Sequence, residues 1–456
     1  MSISTPHPSR GWLTNPLRRR VDHQLGIPVA PGGFPAVGHT PQYALERYAF
    51  FCGLKERLGP LFWIDILGGR WLAWLEEDAL TWLANRSTSS AEYHSVIGDT
   101  FGEGLIIQDG TPHRRARRIL NPAFSPGGLG AAEVGPLVKE VIETRIADWQ
   151  EGRPVWVVKE TQAIALHVIF RIMGIPTDKI RDWERLYRRA LLAVSPIRST
   201  LPGMPRWWGA RAIDTLNAEL RALLRRTRAE EGGDGLVAQM VRGRDDGGRQ
   251  MEEAALVDNL RLLIIAGHET SASSIGWMLL HIAHEPRLWS ALVRSVEGVE
   301  QIPTSIKALR PFSYAEGLFR EALRIHPPVD LVPRRATEEI EVRGHRVPAG
   351  TSLALSTMMM SRDPERYPDP LRVDPARWVG QSRPTPIETC QFGSGPHFCL
   401  GYNLAMLEGT LTALVLARSL RARGLRPRLA SKRLPRPVYV PLVHPPQGAK
   451  IVLERA

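Results

Sequence analysis

Between Phe392 and Gly401 the chain reads Phe-Gly-Ser-Gly-Pro-His-Phe-Cys-Leu-Gly, a glycine-rich loop closing on one cysteine. Beyond it Leu400, Leu404, Leu407, Leu411 and Leu414 recur at three- and four-residue intervals, the period of a helix with one buried face. A cysteine at that junction faces the positive end of a helix dipole and several free N–H groups, both of which favour thiolate. Gly393, Gly395 and Gly401 permit left-handed backbone and close approach to something bulky. Two readings follow. The loop presents a thiolate to an electrophilic centre, most simply a metal, or it buries a structural cysteine beside a tight turn.

The other cysteines are Cys52 and Cys390, so there is no CxxC pair and no disulfide framework. A reducing cytoplasm is the expected compartment. Structural zinc at Cys399 and His397 fails on ligand count. Basic residues outnumber acidic ones, 59 to 47. The arginines are scattered through helical segments without a basic tail, which argues against nucleic acid and for an acidic protein partner. Residues 1–35 read as an irregular arm rich in Pro, Gly and Arg, without the apolar run of a signal peptide or anchor. Residues 36–456 read as one large domain.

That domain is expected to be mainly α with a small β portion. Helical periodicity covers Tyr43 to Leu58, Asp78 to Ala84, and then 112–121, 131–150, 158–174, 178–194, 209–231, 235–242, 252–284, 286–294, 313–325 and 402–421. Two apolar runs about Gly68-Gly69 signal a hairpin. Short strands are expected at 331–335, 339–342, 345–347 and 352–356, and near 437–443 and 449–454.

Three further groups carry chemistry. The helix 252–284 would run roughly 50 Å, with Ala266-Gly267-His268-Glu269-Thr270 in its middle. Thr270 can bond back to the preceding turn and bend the helix. An acid beside an alcohol there suits a proton relay, or simply a loose crossing point. Glu321 and Arg324 share a helix face, as surface pairs often do. His113 and Arg117, one turn apart, suit a carboxylate or a solvated basic face.

In this order the elements resemble the cytochrome P450 family, from about residue 36 to the end. Phe392-Gly393-x-Gly395-x-His397-x-Cys399-x-Gly401 fits the family's haem signature at every defined position, and Glu321-x-x-Arg324 and Ala266-Gly267-x-Glu269-Thr270 stand at family-like separations. The resemblance implies haem b between the long central helix and the helix after the cysteine loop. Cys399 would ligate the iron. His113, Arg117, Arg335 and His397 would hold the propionates, with Arg334 competing for the place of Arg335. Phe392, Gly393 and Gly401 would shape the cofactor seat. Glu321, Arg324 and Arg377 would form an internal ion-pair triad, with Val373 standing where the family usually has Phe.

Glu269 and Thr270 match the pair that delivers protons to dioxygen. The pocket would be lined by Val96, Ile97, Leu263, Ala266, Gly267, Val329, Leu331 and Val332, with Asp330 an oddity among them. The implied function is a cytoplasmic, monomeric monooxygenase that hydroxylates or epoxidises a lipophilic small molecule. It would take O₂ and two electrons from a ferredoxin or flavodoxin with its NAD(P)H reductase, docked near Arg114, Arg115 and Arg118. A haem-thiolate isomerase or dehydratase, working without O₂, and a non-catalytic haem sensor are the alternatives; the presence of Glu269 and Thr270 disfavours the sensor.

Overall fold

The long central segment decides the architecture because it is apolar nearly all round. The computed structural model describes residues 25–66, 68–94, 102–194, 199–230, 233–381 and 384–456. The helices that position the site are α1 (Arg47–Leu58), α2 (Gly110–Phe124), α3 (Val134–Ala147), α4 (Val157–Ile172), α5 (Ile180–Ala190), α6 (Pro205–Ala229), α7 (Glu253–His284), α8 (Ser313–Ile325) and α9 (Tyr402–Ala422). α7 runs 32 residues without interruption. Leu256, Leu260 and Ile264 near its start, and Ile275, Leu279 and Ile282 near its end, are buried. α4 lies along it, α6 crosses it, and α8 and α9 also pack against it. Gly409 permits the close meeting of α8 and α9, since a methyl there would overlap the Phe319 ring.

The large sheet builds apolar clusters of its own, whereas Leu425, Leu429, Ile451 and Leu453 of the smaller one join the helical core. One sheet is ordered β1-β2-β8-β5-β3, built from β1 (Leu61–Ile66), β2 (Gly69–Trp74), β3 (Thr88–Ser89), β5 (Leu331–Ala336) and β8 (Ser352–Ser356). A second joins β4 (Pro154–Trp156), β10 (Lys450–Arg455) and β9 (Leu425–Leu429), and β6 (Ile340–Val342) pairs with β7 (His345–Val347). β2 pairs antiparallel with β1 and parallel with β8, placing Leu72, Ala73 and Trp74 opposite Leu353, Ala354 and Leu355.

Departures from the sequence expectation have local causes. The segment Tyr43 to Leu58 breaks at Glu46, whose ψ of 44° leaves the helical region. The segment 131–150 breaks at Glu133, which is left-handed with φ of 49°. The expected strand at 437–443 reduces to one bridge between Val438 and His444, because Pro437 and Pro441 supply no ladder donors. β3, β4 and β9 are too short or too proline-marked to register as apolar alternation. No break occurs in α7 at Gly267, although Thr270 Oγ1 does donate back to the Ala266 carbonyl at 2.6 Å.

α7 and α8 meet over a buried histidine pair. His281 Nε2 lies 3.1 Å from His326 Nε2, and the His326 ring stacks on Trp277 with centroids 3.7 Å apart. Such a contact needs one donor and one acceptor, which neutral rings provide. Burial, then the charges of His284, Arg324 and Arg362, depress His281 to about 3. Burial likewise holds His326 well below its ordinary value. An unfolded histidine binds its proton near pH 6.5. The pair's contribution is therefore complete above about pH 6.5 and declines as pH falls toward about 3. The loss should approach about 1.4 kcal/mol per pH unit for each ring that only the unfolded chain protonates. Urea midpoints at pH 7 and pH 5 measure it, and His281→Gln should make the dependence shallower.

Candidate active site

The cysteine loop is held by its own backbone. The Cys399 N–H donates to the Phe392 carbonyl at 2.8 Å, and the Gly393 N–H donates to the Cys390 carbonyl at 2.9 Å. Gly393 and Gly395 take φ of 78° and 60°, which L side chains rarely adopt. Phe392, Phe398 and Tyr402 pack together with centroids 4.9 to 6.3 Å apart. Arg320 donates to the Tyr402 hydroxyl at 3.0 Å and fixes that ring.

The three cysteines divide by environment. Cys390 is fully buried, and burial pushes its thiol up to about 12, as suits an inert core residue. Cys52 is half-buried beside Tyr48, its thiol also raised by burial. Cys399 is half-buried at the mouth of α9. Burial raises its thiol too, against the opposing pull of the Gly401 backbone and the Arg117 charge. The helix terminus alone therefore does not make the thiolate expected from sequence. A coordinated cation would, because metal binding deprotonates a thiol outright. A Cβ on Gly401 would stand 3.9 Å from the sulfur.

A basic and imidazole group borders the loop. His113 on α2 stacks on His397 with centroids 4.0 Å apart. Burial, the His397 charge and Arg117 depress His113 to about 4, so it is a neutral hydrogen-bonding ring at pH 7. Burial lowers Arg117, and Cys399 opposes that shift. On β5 neighbouring side chains point to opposite faces. Arg334 is buried, and its charge reaches His113, His397 and Asp109. Arg335, expected in the group, faces away and pairs with Glu92 at 2.5 Å. Arg334 takes its place for that reason of alternation.

Asp109 ties this group together. It accepts from Ser89 Oγ at 2.6 Å and from the Ser90 N–H at 3.0 Å, and lies 3.2 Å from His397 Nε2. Burial disfavours its charge, but the bonds from His397, Ser89 and Ser90 outweigh burial and hold the carboxyl well below the usual range.

The acid–alcohol pair lies on α7, which packs on α9. Leu263, Gly267 and Thr270 are half-buried and Ala266 is exposed, in the middle of an otherwise buried helix. A methyl on Gly267 would come 2.9 Å from Ile169, so α4 closes tightly on the other side. Glu269 Oε2 accepts from Gln162 Nε2 at 3.2 Å, and its Oε1 lies 3.3 Å from His268 Nδ1. Burial works against its charge, but His268 and Gln162 outweigh burial and lower its pKa.

Val329 and Leu331 are half-buried, whereas Val332 is buried in the core of the sheet. Asp330 turns away from them to pair with buried Arg47 of α1, which also donates to the Tyr439 carbonyl at 2.7 Å. Val96 and Ile97 lie outside the described residues.

Beneath the loop, Glu321 and Arg324 form a two-pronged pair at 2.7 and 2.9 Å, both fully buried. Glu321 also accepts from the Asp374 N–H at 2.8 Å and from Trp378 Nε1 at 3.0 Å. Arg377 stands 3.9 Å off and donates instead to the Pro368 carbonyl at 2.8 Å. Arg377 thus joins the expected triad only as a long ion pair, while Trp378 and the Asp374 backbone make the hydrogen bonds that complete the network. Val373 fills the main core.

The comparisons with known proteins give the family. A family model described as Cytochrome P450 matches residues 211–425. "Cytochrome P450 BJ-4" of Bradyrhizobium diazoefficiens is 36% identical over 96% of this chain and 99% of its own. The chain belongs to the cytochrome P450 family. "Cyclooctat-9-en-7-ol 5-monooxygenase" of Streptomyces melanosporofaciens is 28% identical over 93% of this chain and 92% of its own. The solved structure "Retinoic acid bound cyanobacterial CYP120A1" shares the fold, with a TM-score of 0.81 over 94% of this chain and 100% of that one at 22% identity.

As a cytochrome P450 the protein is a haem-binding monooxygenase. Its residues fit that cofactor. They offer one partly buried thiol, a stretch of α7 where Ala266 and Gly267 are left uncovered, and a cluster of imidazoles and guanidinium groups for carboxylates. Among the described residues no helix is long and apolar enough to cross a membrane. Of the basic residues suggested for a redox partner, Arg115 pairs with Asp245 at 2.7 Å and Arg118 pairs with Asp246.

Gly395 seats the P450 loop against Ala84, where a methyl would come 2.8 Å from the Ala84 Cα. Gly395→Ala combines left-handed strain with that overlap, and should cost about 2–4 kcal/mol. The haem-to-protein ratio after purification and the melting temperature should both fall.

Sequence reasoning missed four polar residues here: Asp109, Gln162, His268 and Glu408. Only Asp109, beside the helix start, carried a local signal, and it does not cap that helix. Glu408 is buried on α9, and burial raises it to about 7 against a bond from Ser271.

Proposed function

We propose that this P450 oxygenates a lipophilic small molecule at a carbon, using haem b ligated by Cys399 and electrons from an external ferredoxin or flavodoxin system. The observation that carries the reading is the partly buried Cys399 thiol beside Arg117, which groups with His113, Arg334 and His397. Cys399 would hold the iron, and those four residues would hold the propionates. Bound there, the haem would supply the oxidising chemistry, which a thiolate ligand favours by donating electron density.

The chain's own residues have separate tasks. Leu263, Ala266, Gly267, Val329 and Leu331 offer an apolar surface. With Asp330 committed to Arg47, none of these residues places a charge there. A lipophilic substrate suits that lining, and one relative is named for oxygenating cyclooctat-9-en-7-ol. Thr270 and Glu269 would hold and pass protons. Glu321, Arg324 and Trp378 would keep the floor rigid, and Arg377 would add little.

Spin-state titration with terpenoids, steroids, fatty acids and macrolides tests the lining. Lipophilic compounds should shift the spectrum and then be oxidised in the presence of O₂, NAD(P)H and surrogate redox partners. Product formed under strict anaerobiosis without reductant would overturn the proposal in favour of an isomerase or dehydratase.

A further inference from the structure

The surroundings of Glu269 extend outward from Thr270 into a polar chain. His268 is buried between α4 and α5. Its Nε2 lies 3.1 Å from the Gln162 carbonyl oxygen. A carbonyl only accepts, so Nε2 carries a hydrogen. Nδ1 is then the atom at which this ring gains or loses a proton. It stands 3.1 Å from the Tyr187 hydroxyl and 3.3 Å from Glu269 Oε1.

In the neutral ring Nδ1 accepts from Tyr187, and in the charged ring it donates toward Glu269. Tyr187 stays protonated, because burial and then the Glu269 charge raise its hydroxyl against the pull of Arg188. The Tyr187 ring stands edge-on to His268 at 5.1 Å and holds it upright.

The chain reaches the surface at Gln162. Its side chain bonds Glu269 and also lines a surface cavity of about 440 Å³ with Trp156, Lys159, Arg188 and Gln447. The charged and titratable groups facing this junction are Tyr187 and Arg188 from α5, Glu269 from α7 and His444 from the C-terminal segment.

We propose that His268 is the positioning residue that loads Glu269 with its proton, and that the cavity at Gln162 is where solvent supplies it. In the step, one proton leaves His268 Nδ1 and joins Glu269 Oε1. The imidazolium becomes a neutral ring, the carboxylate becomes a carboxylic acid, and no electrons move. A hydronium ion in the cavity then gives its proton to the ring and is left as water. The inference rests on the proposed proton role of Glu269 and Thr270.

The test uses the full-length holoprotein labelled with ¹⁵N-histidine, the His268 signals being those lost in His268→Gln. Glu269→Gln removes the facing charge. It should change the Nδ1 signal of His268 at fixed pH, because the acceptor 3.3 Å away has lost its charge. Tyr187→Phe should change the Nδ1 signal of the neutral ring, because its donor is gone.

In turnover with surrogate reductases, His268→Gln should divert several-fold more NAD(P)H into peroxide. It should also flatten the pH profile of coupling, with the CO-bound spectrum and substrate affinity kept. A His268 ring indifferent to Glu269→Gln, or a variant that keeps wild-type coupling and pH profile, overturns the proposal. If wild type itself shows no O₂-dependent turnover, the monooxygenase reading fails. The labelled-histidine measurement then still decides whether His268 and Glu269 share a proton.

Discussion

Cys399→Ala is expected to abolish the long-wavelength Soret band of the reduced CO complex and to take turnover to background. Cys52 and Cys390 offer no substitute ligand. Cys390 is sealed in the sheet core and points at the Thr357 carbonyl, 3.8 Å from its sulfur. Cys52 belongs to α1 and packs against a separate cluster. The apoprotein should remain folded, because the backbone bond from Cys399 to Phe392 survives the change. A near-wild-type far-UV spectrum with no long-wavelength band is the expected pair of results. Survival of the band would mean that another residue holds the iron, and the proposed site would be wrong.

Arg324→Met is expected to have the second-largest effect, on stability rather than chemistry. Arg324 donates to both carboxylate oxygens of Glu321 and to the carbonyls of Ser361, Pro370 and Arg372 at 2.7 to 3.2 Å. Removing it leaves Glu321 charged and buried, and unpairs three backbone oxygens. Breaking one side of such a pair costs about 3–5 kcal/mol. Arg324→Lys should rescue little, since an ammonium lacks the planar fork. Arg377→Ala should cost no more than about 1 kcal/mol, as for other loose, partly exposed pairs. Urea unfolding of the three variants ranks them. Equal losses at Arg324 and Arg377 would contradict the geometry.

Much of this architecture was legible in residue order. The period of Leu400 to Leu414 set α9, and the uninterrupted apolar run around Ile264 set α7. Short-range signals failed where one residue's backbone state decided the matter, as at Glu133, or where prolines emptied a strand of donors, as near Val438. At the site, the neighbours Arg334 and Arg335 are equivalent as text. Only the register of β5 against β8, with Arg334 opposite Leu353, tells which one faces inward.

Asp330 reads as a charge in an apolar pocket because its partner Arg47 lies in a distant helix. The partners of Gln162 and His268 were invisible for the same reason. Their meaning comes from the packing of α4 and α5 on α7, which no local pattern encodes.

The parallel pairing of β2 with β8 has a consequence for how the chain is made. When β2 leaves the ribosome it pairs with β1 on one edge only. The strand that covers its other edge follows roughly 280 residues later, about 15–55 s at common elongation rates of 5–20 residues per second. During that interval the apolar segment Trp71-Leu72-Ala73-Trp74 presents unpaired backbone groups that any neighbouring nascent chain can join. Overproduction should therefore fail first through entanglement of unfinished chains, before the stability of the finished protein matters. Slower initiation or added holdase chaperones should help more than stabilising substitutions in the helical core.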